Sequence, residues 1–186
     1  MTTRFNESDV RTWREDGAVV IPDFFTPDEI SAVLPDLDRV FAECGKGRGP
    51  GRALSPKRRG VVGEFHPDQL KNIFSMPFDC SPALNLLGFH PEVIAFARAA
   101  LRTGNVHLYQ MHVWAKYTGE ADYDQPFHCD YTNHTLIVPA DDDRLNAVNI
   151  TIYLTDITDN HGAIHYVPFS ESDAIAPDRM IVPSPE

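Results

Sequence analysis

The sequence has few cysteines, no long apolar run and no apolar N-terminal core, and each shortage excludes a class of protein. Its three cysteines, Cys44, Cys80 and Cys129, lie far apart and form no CxxC pair, which argues against a disulfide framework and against a thiolate zinc cluster. It contains no run of about 18 apolar residues that could span a membrane. The N-terminus MTTRFNESDV lacks a signal-peptide core. We therefore predict a soluble, cytoplasmic protein.

Positively charged residues are also few. Lys and Arg number 16 against 27 Asp and Glu, so the formal net charge is −11. Nonspecific binding to nucleic acid or to an anionic membrane surface needs a basic face, and we expect neither partner. Hydrophobic residues make up 42% of the 186 positions, which is enough to form the core of a single folded domain.

The first half of the chain, residues 1–104, carries the signals of helices. Thr26-Pro27-Asp28-Glu29 is a capping box with proline at the first helical position. The apolar periodicity that follows continues to Phe41, and Pro35 within it predicts a kink or a break. Ser81-Pro82 and His90-Pro91-Glu92 are typical of two further helix starts. A short helix capped by Ser8 and ended by Gly17, and then a strand over 18–21, are predicted near the N-terminus.

The second half, residues 105–186, changes character. β-branched and aromatic residues cluster in short runs separated by turn residues, and we predict strands over 106–117, 125–132, 135–138, 147–155 and 163–167. Short strands after leading helices suggest an antiparallel sandwich or barrel with the helices packed outside. We therefore predict one domain over 1–186, of the α+β class with a mainly β core.

Between the helical part and the β-rich part lies the segment GKGRGPGRALSPKRRG, residues 45–60. It holds six of the chain's 16 basic residues but lacks the GxxxxGK[ST] order of a phosphate-binding loop. One interpretation is a mobile, solvated surface loop. The other is a lid that attracts an anionic substrate.

A histidine two residues before a carboxylate occurs three times. With 8 histidines and 27 acidic residues, roughly one such match is expected by chance, so the pattern alone is only a hypothesis. His66-Pro67-Asp68 and His90-Pro91-Glu92 contain proline and stand where helices begin, and we interpret both as helix caps. His128-Cys129-Asp130 lies instead in a strand-like run.

The strand context of His128 and Asp130 favours a metal site. Alternate side chains of a strand point to one face, so these two can approach one ion while Cys129 points away. An imidazole and a carboxylate suit Fe(II), and two histidines with one carboxylate leave adjacent positions open for a cosubstrate and oxygen. A surface ion pair remains the alternative, which the motif does not exclude.

Four stretches flank or precede this motif: WREDGAVVIPDFFTPDEISAVLPDLDRVF, HPEVIAFARAAL, VHLYQMHVWAKYTG and VNITIYLTDITDNHGAIHYVPFS. Taken together, they resemble the phytanoyl-CoA dioxygenase family of Fe(II)/2-oxoglutarate-dependent oxygenases, and His128-Cys129-Asp130 stands at the family's metal motif between the last two. No single stretch is decisive, but their order and spacing are specific.

The resemblance implies a fold and a set of site residues. The expected fold is a double-stranded β-helix, also called a jelly roll or cupin-like fold, with the N-terminal helices packed outside. His128 and Asp130 would be the catalytic iron ligands. Gln110 and Lys116 match positions that face the cosubstrate 2-oxoglutarate, where Lys116 would pair with a carboxylate and Gln110 would donate a hydrogen bond. A solvated strand residue is the alternative for Lys116.

The sequence departs from the family's pattern after Asp130. The family has a third histidine ligand well downstream, followed by an arginine that holds the far carboxylate of 2-oxoglutarate. The later histidines here are His134, His161 and His165, none is followed by an arginine at the expected place, and Phe169-Ser170-Glu171 replaces the family's Gly-Ser-His. Three explanations stand: a chain truncated at the C-terminus, an inactive relative, or His165 as an unorthodox ligand.

Of these, we expect an incomplete jelly roll, with the missing strands and ligand beyond Glu186, because a half-built barrel exposes strand edges. The family's reaction hydroxylates a small-molecule substrate at a C–H bond, consuming O2 and releasing succinate and CO2. This chain alone should then bind Fe(II) weakly and show little turnover. A noncatalytic jelly roll that binds a ligand or a partner is the alternative, and a zinc hydrolase lacks support because no HExxH-type pattern is present.

Overall fold

A computed structural model describes residues 3–43, 73–76, 78, 81–115, 127 and 147–175. The basic segment 45–60, the helix start at His66-Pro67-Asp68 and the strand predicted over 135–138 lie outside these residues, as does all of the strand predicted over 125–132 except residue 127. Within them, five α-helices, one 3-10 helix and two short strands are present.

Helix α1 spans Glu7–Asp16, and its N-cap is Asn6. The Asn6 side chain accepts hydrogen bonds from the backbone N–H groups of Ser8 and Asp9, at 2.7 and 3.1 Å, while the Asp9 carboxylate accepts from the Asn6 backbone at 2.8 Å. The prediction that Ser8 caps the helix is therefore wrong by two residues, because this reciprocal capping box already satisfies the first donors. The predicted stop at Gly17 is confirmed, with φ of 88°.

Helix α2 spans Pro27–Glu43 and begins as the sequence predicts. The Glu29 carboxylate accepts from the Thr26 backbone N–H at 2.8 Å, and the Thr26 hydroxyl accepts from the Glu29 backbone at 3.3 Å. Pro35 lies inside the helix without ending it, so the break is absent and the alternative, a kink, stays a prediction. The segment before α2 is not the strand predicted over 18–21, since these residues lie in neither a helix nor a strand.

Two further helices follow the predicted starts. Helix α3 spans Pro82–Leu87 with Ser81 as its N-cap, and helix α4 spans Pro91–Leu101 with His90 as its N-cap. The Ser81 hydroxyl is buried, accepts from the Leu84 backbone at 3.1 Å and donates to the Asp36 carboxylate at 2.6 Å. That second bond links the start of α3 to α2 and lowers the pKa of the Asp36 carboxyl group.

The strands β1, Ile73–Ser75, and β2, His112–Trp114, form a two-stranded antiparallel sheet in the described part of the chain. Ile73 pairs with Trp114, Phe74 with Val113 and Ser75 with His112. Strand β2 lies inside the strand predicted over 106–117, whereas 147–155 and 163–167 lie in neither helix nor strand. A 3-10 helix, Asp159–His161, and helix α5, Phe169–Ile175, complete the described elements. The jelly roll stays a prediction.

Two apolar clusters hold these elements together. The first packs α2, α3 and the sheet against one another and is centred on buried Val33, Val40, Phe78, Leu84, Leu87 and Val113. The second joins α1 to α4 through Trp13, Phe96 and Ala100, with Val19 and Ile21 packed against it. Strand β2 therefore has one side fixed by the first cluster, and this leaves its other side to carry polar chemistry.

Candidate functional site

Of the four site residues predicted from the sequence, the structure describes Gln110. The predicted iron ligands His128 and Asp130, and the predicted cosubstrate residue Lys116, lie outside the described residues. Gln110 precedes β2 by two residues and its side chain is exposed. The described part of the candidate site therefore consists of β2 and the elements that contact it.

Residues along β2 alternate between the core and the exposed side. Met111 and Val113 belong to the first apolar cluster, and Val113 is only 8% exposed. Gln110, His112 and Trp114 are exposed, as expected for alternate residues of an extended strand. The structure thus places Gln110 on the side of the sheet opposite the helices, together with His112.

The neighbouring strand and the end of helix α3 fix the position of this polar side. The backbone N–H of Met76 donates to the carbonyl oxygen of Met111 at 2.9 Å, which continues the pairing of the two strands beyond the assigned β1. Gly88, at the end of α3, lies against the Met111 side chain so closely that an added Cβ would sit 2.4 Å from its sulfur. Because Met111 separates Gln110 from His112, this packing holds the backbone between them.

His112 connects Gln110 to the neighbouring strand. Its Nδ1 lies 3.0 Å from the Ser75 hydroxyl, and its Nε2 is hydrogen-bonded to the amide nitrogen of Gln110. The Ser75 hydroxyl, the His112 ring and the Gln110 side-chain amide therefore follow one another in hydrogen-bonding contact on the exposed side of β2.

The other described histidines near acidic residues serve helix ends. His90 accepts the backbone N–H of Glu92 at its Nδ1, at 3.2 Å, and its Nε2 lies 3.2 Å from the Glu29 carboxylate. The interpretation of His90-Pro91-Glu92 as a helix cap is thereby confirmed. His161 accepts the backbone N–H of Thr158 at 3.1 Å within the 3-10 helix, which is the turn where the sequence places it. His165 is exposed.

A charged network joins the N-terminal segment to the start of α2. Arg4 bonds to both carboxylate oxygens of Glu29, at 2.6 and 2.9 Å, and to the Phe24 carbonyl oxygen at 2.9 Å. The Arg4 hydrogen bond, with the Thr26 backbone N–H next in weight, holds the pKa of the Glu29 carboxyl group well below its usual range. This network fastens the N-terminal segment to the first turn of α2, and its role is structural.

Among the described residues there is no group of three or more His, Cys, Asp or Glu side chains that could hold a metal ion. A cavity of about 440 Å³ beside α1 and α4 is lined by Thr3, Phe5, Asn6, Glu7, Val10 and Ala99, and so contains none of the predicted site residues. In the described ranges, no helix combines the length and the apolar character needed to cross a membrane.

Sequence comparison places these elements in a known family. The family model described as phytanoyl-CoA dioxygenase (PhyH) matches residues 13–185. The chain belongs to the phytanoyl-CoA dioxygenase family. No curated protein and no solved structure matches it.

Membership of the phytanoyl-CoA dioxygenase family confirms the resemblance inferred from the sequence. The match begins at Trp13 in the second apolar cluster and takes in both strands, Gln110 and the segment that carries His128 and Asp130. The family match is consistent with a dioxygenase activity, which the description of the family names. His112 and Ser75 did not stand out in the sequence, because their connection depends on strand register and not on a local motif.

Proposed function

We propose that this member of the phytanoyl-CoA dioxygenase family is an Fe(II)/2-oxoglutarate-dependent oxygenase that hydroxylates a small molecule at a C–H bond. The reaction would consume O2 and 2-oxoglutarate and release succinate and CO2. The observation that carries the proposal is the family match over residues 13–185. The His-x-Asp motif within that range, and the exposed polar side of β2, support it.

His128 and Asp130 are the residues proposed to hold the iron. One imidazole and one carboxylate, separated by a single residue, form a donor pair that suits Fe(II). Among the described histidines, His90 and His161 use ring nitrogens to cap helices, which makes them poor rivals for the metal. Iron and 2-oxoglutarate, when bound, would supply the O2-dependent oxidation, and the chain's own residues would bind, orient and exclude water.

Gln110 is proposed to bind 2-oxoglutarate through its side-chain amide. A glutamine amide N–H is a donor that suits a carboxylate oxygen of the cosubstrate, and the family resemblance places Gln110 at a position that faces it. Lys116 follows Gln110 at an even spacing of six residues, and we propose that its ammonium group pairs with a carboxylate of 2-oxoglutarate.

Asp130 also bears on the type of oxidation. A carboxylate ligand occupies a position on iron that a halogenating site would leave to a halide. We therefore propose hydroxylation or a related oxidation for this chain, and not halogenation.

The test is succinate release from 2-oxoglutarate with Fe(II) and ascorbate, by the wild-type chain and by His128→Ala and Asp130→Ala. His107→Ala is the matched control, because His107 is an exposed histidine in the segment before β2. We expect low turnover that requires Fe(II), is retained by His107→Ala and is lost in the two ligand variants. Succinate release that is equal in all four proteins would refute the proposed site, and its complete absence with no binding of 2-oxoglutarate would favour a noncatalytic jelly roll.

A further inference from the structure

We propose that the cavity beside α1 and α4 is a second binding site, for a small molecule with an apolar body and one cationic group. The cavity has a volume of about 440 Å³ and is lined by Thr3, Phe5, Asn6, Glu7, Val10 and Ala99. Small-molecule sites are typically concave and mostly apolar, with a few polar groups that orient the ligand. The inference goes beyond the proposed function and does not depend on it, because the described residues of the lining take no part in that function.

The apolar wall of the cavity is held in place by the second apolar cluster. Phe5 and Val10 pack against that cluster. The rings of Phe5 and Phe96 meet edge to face, with centroids 5.3 Å apart and an interplanar angle of 90°, which is an arrangement that aromatic pairs prefer. Ala99, on α4, adds a further apolar part of the lining. The surface that would cover a ligand's apolar body is thus preformed, which lowers the cost of ordering it on binding.

The N-terminal segment that supplies Thr3 and Phe5 is fastened to two helices. The backbone N–H of Arg4 donates to the Glu92 carboxylate on α4 at 3.0 Å. The Arg4 guanidinium bonds to both carboxylate oxygens of Glu29 on α2. Because Arg4 stands between Thr3 and Phe5 in the chain, these bonds hold both residues at the cavity.

The polar groups of the lining decide which charge the ligand carries. Glu7 is the charged residue of the described lining, and its side chain is exposed. Among the described residues, neither the Glu7 carboxylate nor the Thr3 hydroxyl has a hydrogen-bonding partner, whereas the Asn6 side chain already accepts from two backbone N–H groups. The full negative charge of Glu7 exceeds the partial positive charge of about one half at the start of α1. An ammonium group therefore suits this cavity, and a carboxylate does not.

Three probes of equal chain length isolate the effect of charge: hexylamine, hexan-1-ol and hexanoate. Their Kd values are measured by NMR titration of the ¹⁵N-labelled wild-type chain without iron or 2-oxoglutarate, from the backbone amide signals of residues 5–10 and 99. We expect hexylamine to bind most tightly and hexanoate most weakly. Signals in this group that do not move with hexylamine, or that give the same Kd for hexylamine and hexanoate, would overturn the proposal.

Two variants test the two parts of the lining. Glu7→Gln removes the charge and should raise the Kd of hexylamine roughly two- to fivefold, with the Kd of hexan-1-ol unchanged. Glu15→Gln is the matched control, because Glu15 is exposed on the same helix and lies outside the described lining. Ala99→Leu fills part of the cavity and should weaken both probes, with its fold checked by the thermal midpoint.

Two results with these variants would overturn the proposal. One is a Kd of hexylamine that is the same in Glu7→Gln and Glu15→Gln, since the probe would then not contact the Glu7 carboxylate. The other is binding of hexan-1-ol that a folded Ala99→Leu chain leaves unchanged, since the probe would then lie outside the cavity. Glu7→Gln changes an exposed side chain, so the first result is informative whether or not Ala99→Leu folds.

Titration of His128→Ala separates this cavity from the proposed iron site. Hexylamine should bind this variant with the wild-type Kd, because the carboxylate that attracts it belongs to Glu7. Loss of hexylamine binding in His128→Ala, with Glu7→Gln equal to the wild type, would assign the probe to the iron site and overturn the proposal. Either failure leaves the proposed function standing, because the probes are titrated without Fe(II) and 2-oxoglutarate.

Discussion

Arg4 and Glu29 form a two-pronged ion pair, with guanidinium nitrogens 2.6 and 2.9 Å from the two carboxylate oxygens. Each group has a second partner, because Arg4 also donates to the Phe24 carbonyl and Glu29 also caps α2 through Thr26. A bidentate guanidinium–carboxylate contact is more specific than a single charge pair. Here it fixes the N-terminal segment to the first turn of α2.

The Arg4–Glu29 ion pair makes part of the free energy of unfolding depend on pH in the acidic range. The pKa of the Glu29 carboxyl group is lowered in the folded chain, first by the Arg4 hydrogen bond, relative to about 4.3 in an unfolded chain. A carboxylate with a lowered pKa contributes stability that is present above the unfolded pKa and is lost as pH falls toward the folded one. The wild type should therefore exceed Glu29→Gln in unfolding free energy near neutral pH, and the difference should shrink steadily below about pH 4.

Urea unfolding of both proteins at several pH values checks this expectation. Glu15→Gln is the matched control, because Glu15 is exposed on α1, and its difference from the wild type should stay small throughout. A difference between wild type and Glu29→Gln that is constant down to the lowest pH would show that the ion pair has no influence on stability.

Gly17 gives a second prediction, on stability. Its φ is 88°, and a Cβ there would sit 2.7 Å from the ring of Phe169 at the start of α5. Gly17→Ala therefore adds a strained left-handed residue and a clash, and we expect a loss of roughly 1–3 kcal/mol in the free energy of unfolding. Chemical denaturation measures that loss.

Gly104→Ala is the control for Gly17→Ala. An added Cβ at Gly104 would meet nothing within 4 Å, and Gly104 is exposed, so this variant should remain within about 0.5 kcal/mol of the wild type. Equal stability of Gly17→Ala and Gly104→Ala would mean that the contact between the end of α1 and Phe169 is absent in solution.

The histidines downstream of Asp130 provide a third prediction. His161 caps the 3-10 helix through its Nδ1, and we expect His161→Ala to loosen that turn and leave Fe(II) affinity near the wild-type value. His165 is exposed, and His165→Ala should likewise leave Fe(II) binding unchanged. Metal titration of both variants decides, since loss of a ligand or its support commonly weakens binding by about 10- to 100-fold. Such a loss in His165→Ala would make His165 the third iron ligand.

Local signals predicted the helices well. The starts at Thr26, Ser81 and His90 depend on side chains within three residues of the cap, and such contacts can be seen in the sequence. Ser8 was chosen wrongly because Asn6, two residues earlier, has the same capping chemistry. The sequence predicted a kink or a break at Pro35, and α2 is not broken there, because residues on both sides of it pack in the first apolar cluster.

Long-range pairing was harder to predict. Strand β1 has three residues, and its partner lies about forty positions away in the chain, so no local pattern marks it. The family resemblance singled out Gln110, and the structure places this residue on the exposed side of the run that leads into β2. His112 was not predicted, because its contact with the Ser75 hydroxyl depends on the pairing of two strands that are distant in the sequence. The iron ligands rest on motif and family, and the described residues leave that prediction open.

We propose above that His128 and Asp130 hold an Fe(II) ion to which 2-oxoglutarate binds. The most direct measurement is an anaerobic titration of the wild-type chain with Fe(II) and 2-oxoglutarate, followed by visible absorption of the metal–cosubstrate complex. His128→Ala and Asp130→Ala are titrated in parallel, with His107→Ala as the histidine control. We expect an absorption band that needs both Fe(II) and 2-oxoglutarate, persists in His107→Ala and vanishes in the two ligand variants. A band unchanged by both ligand variants, or no band in the wild type at saturating Fe(II), would contradict it.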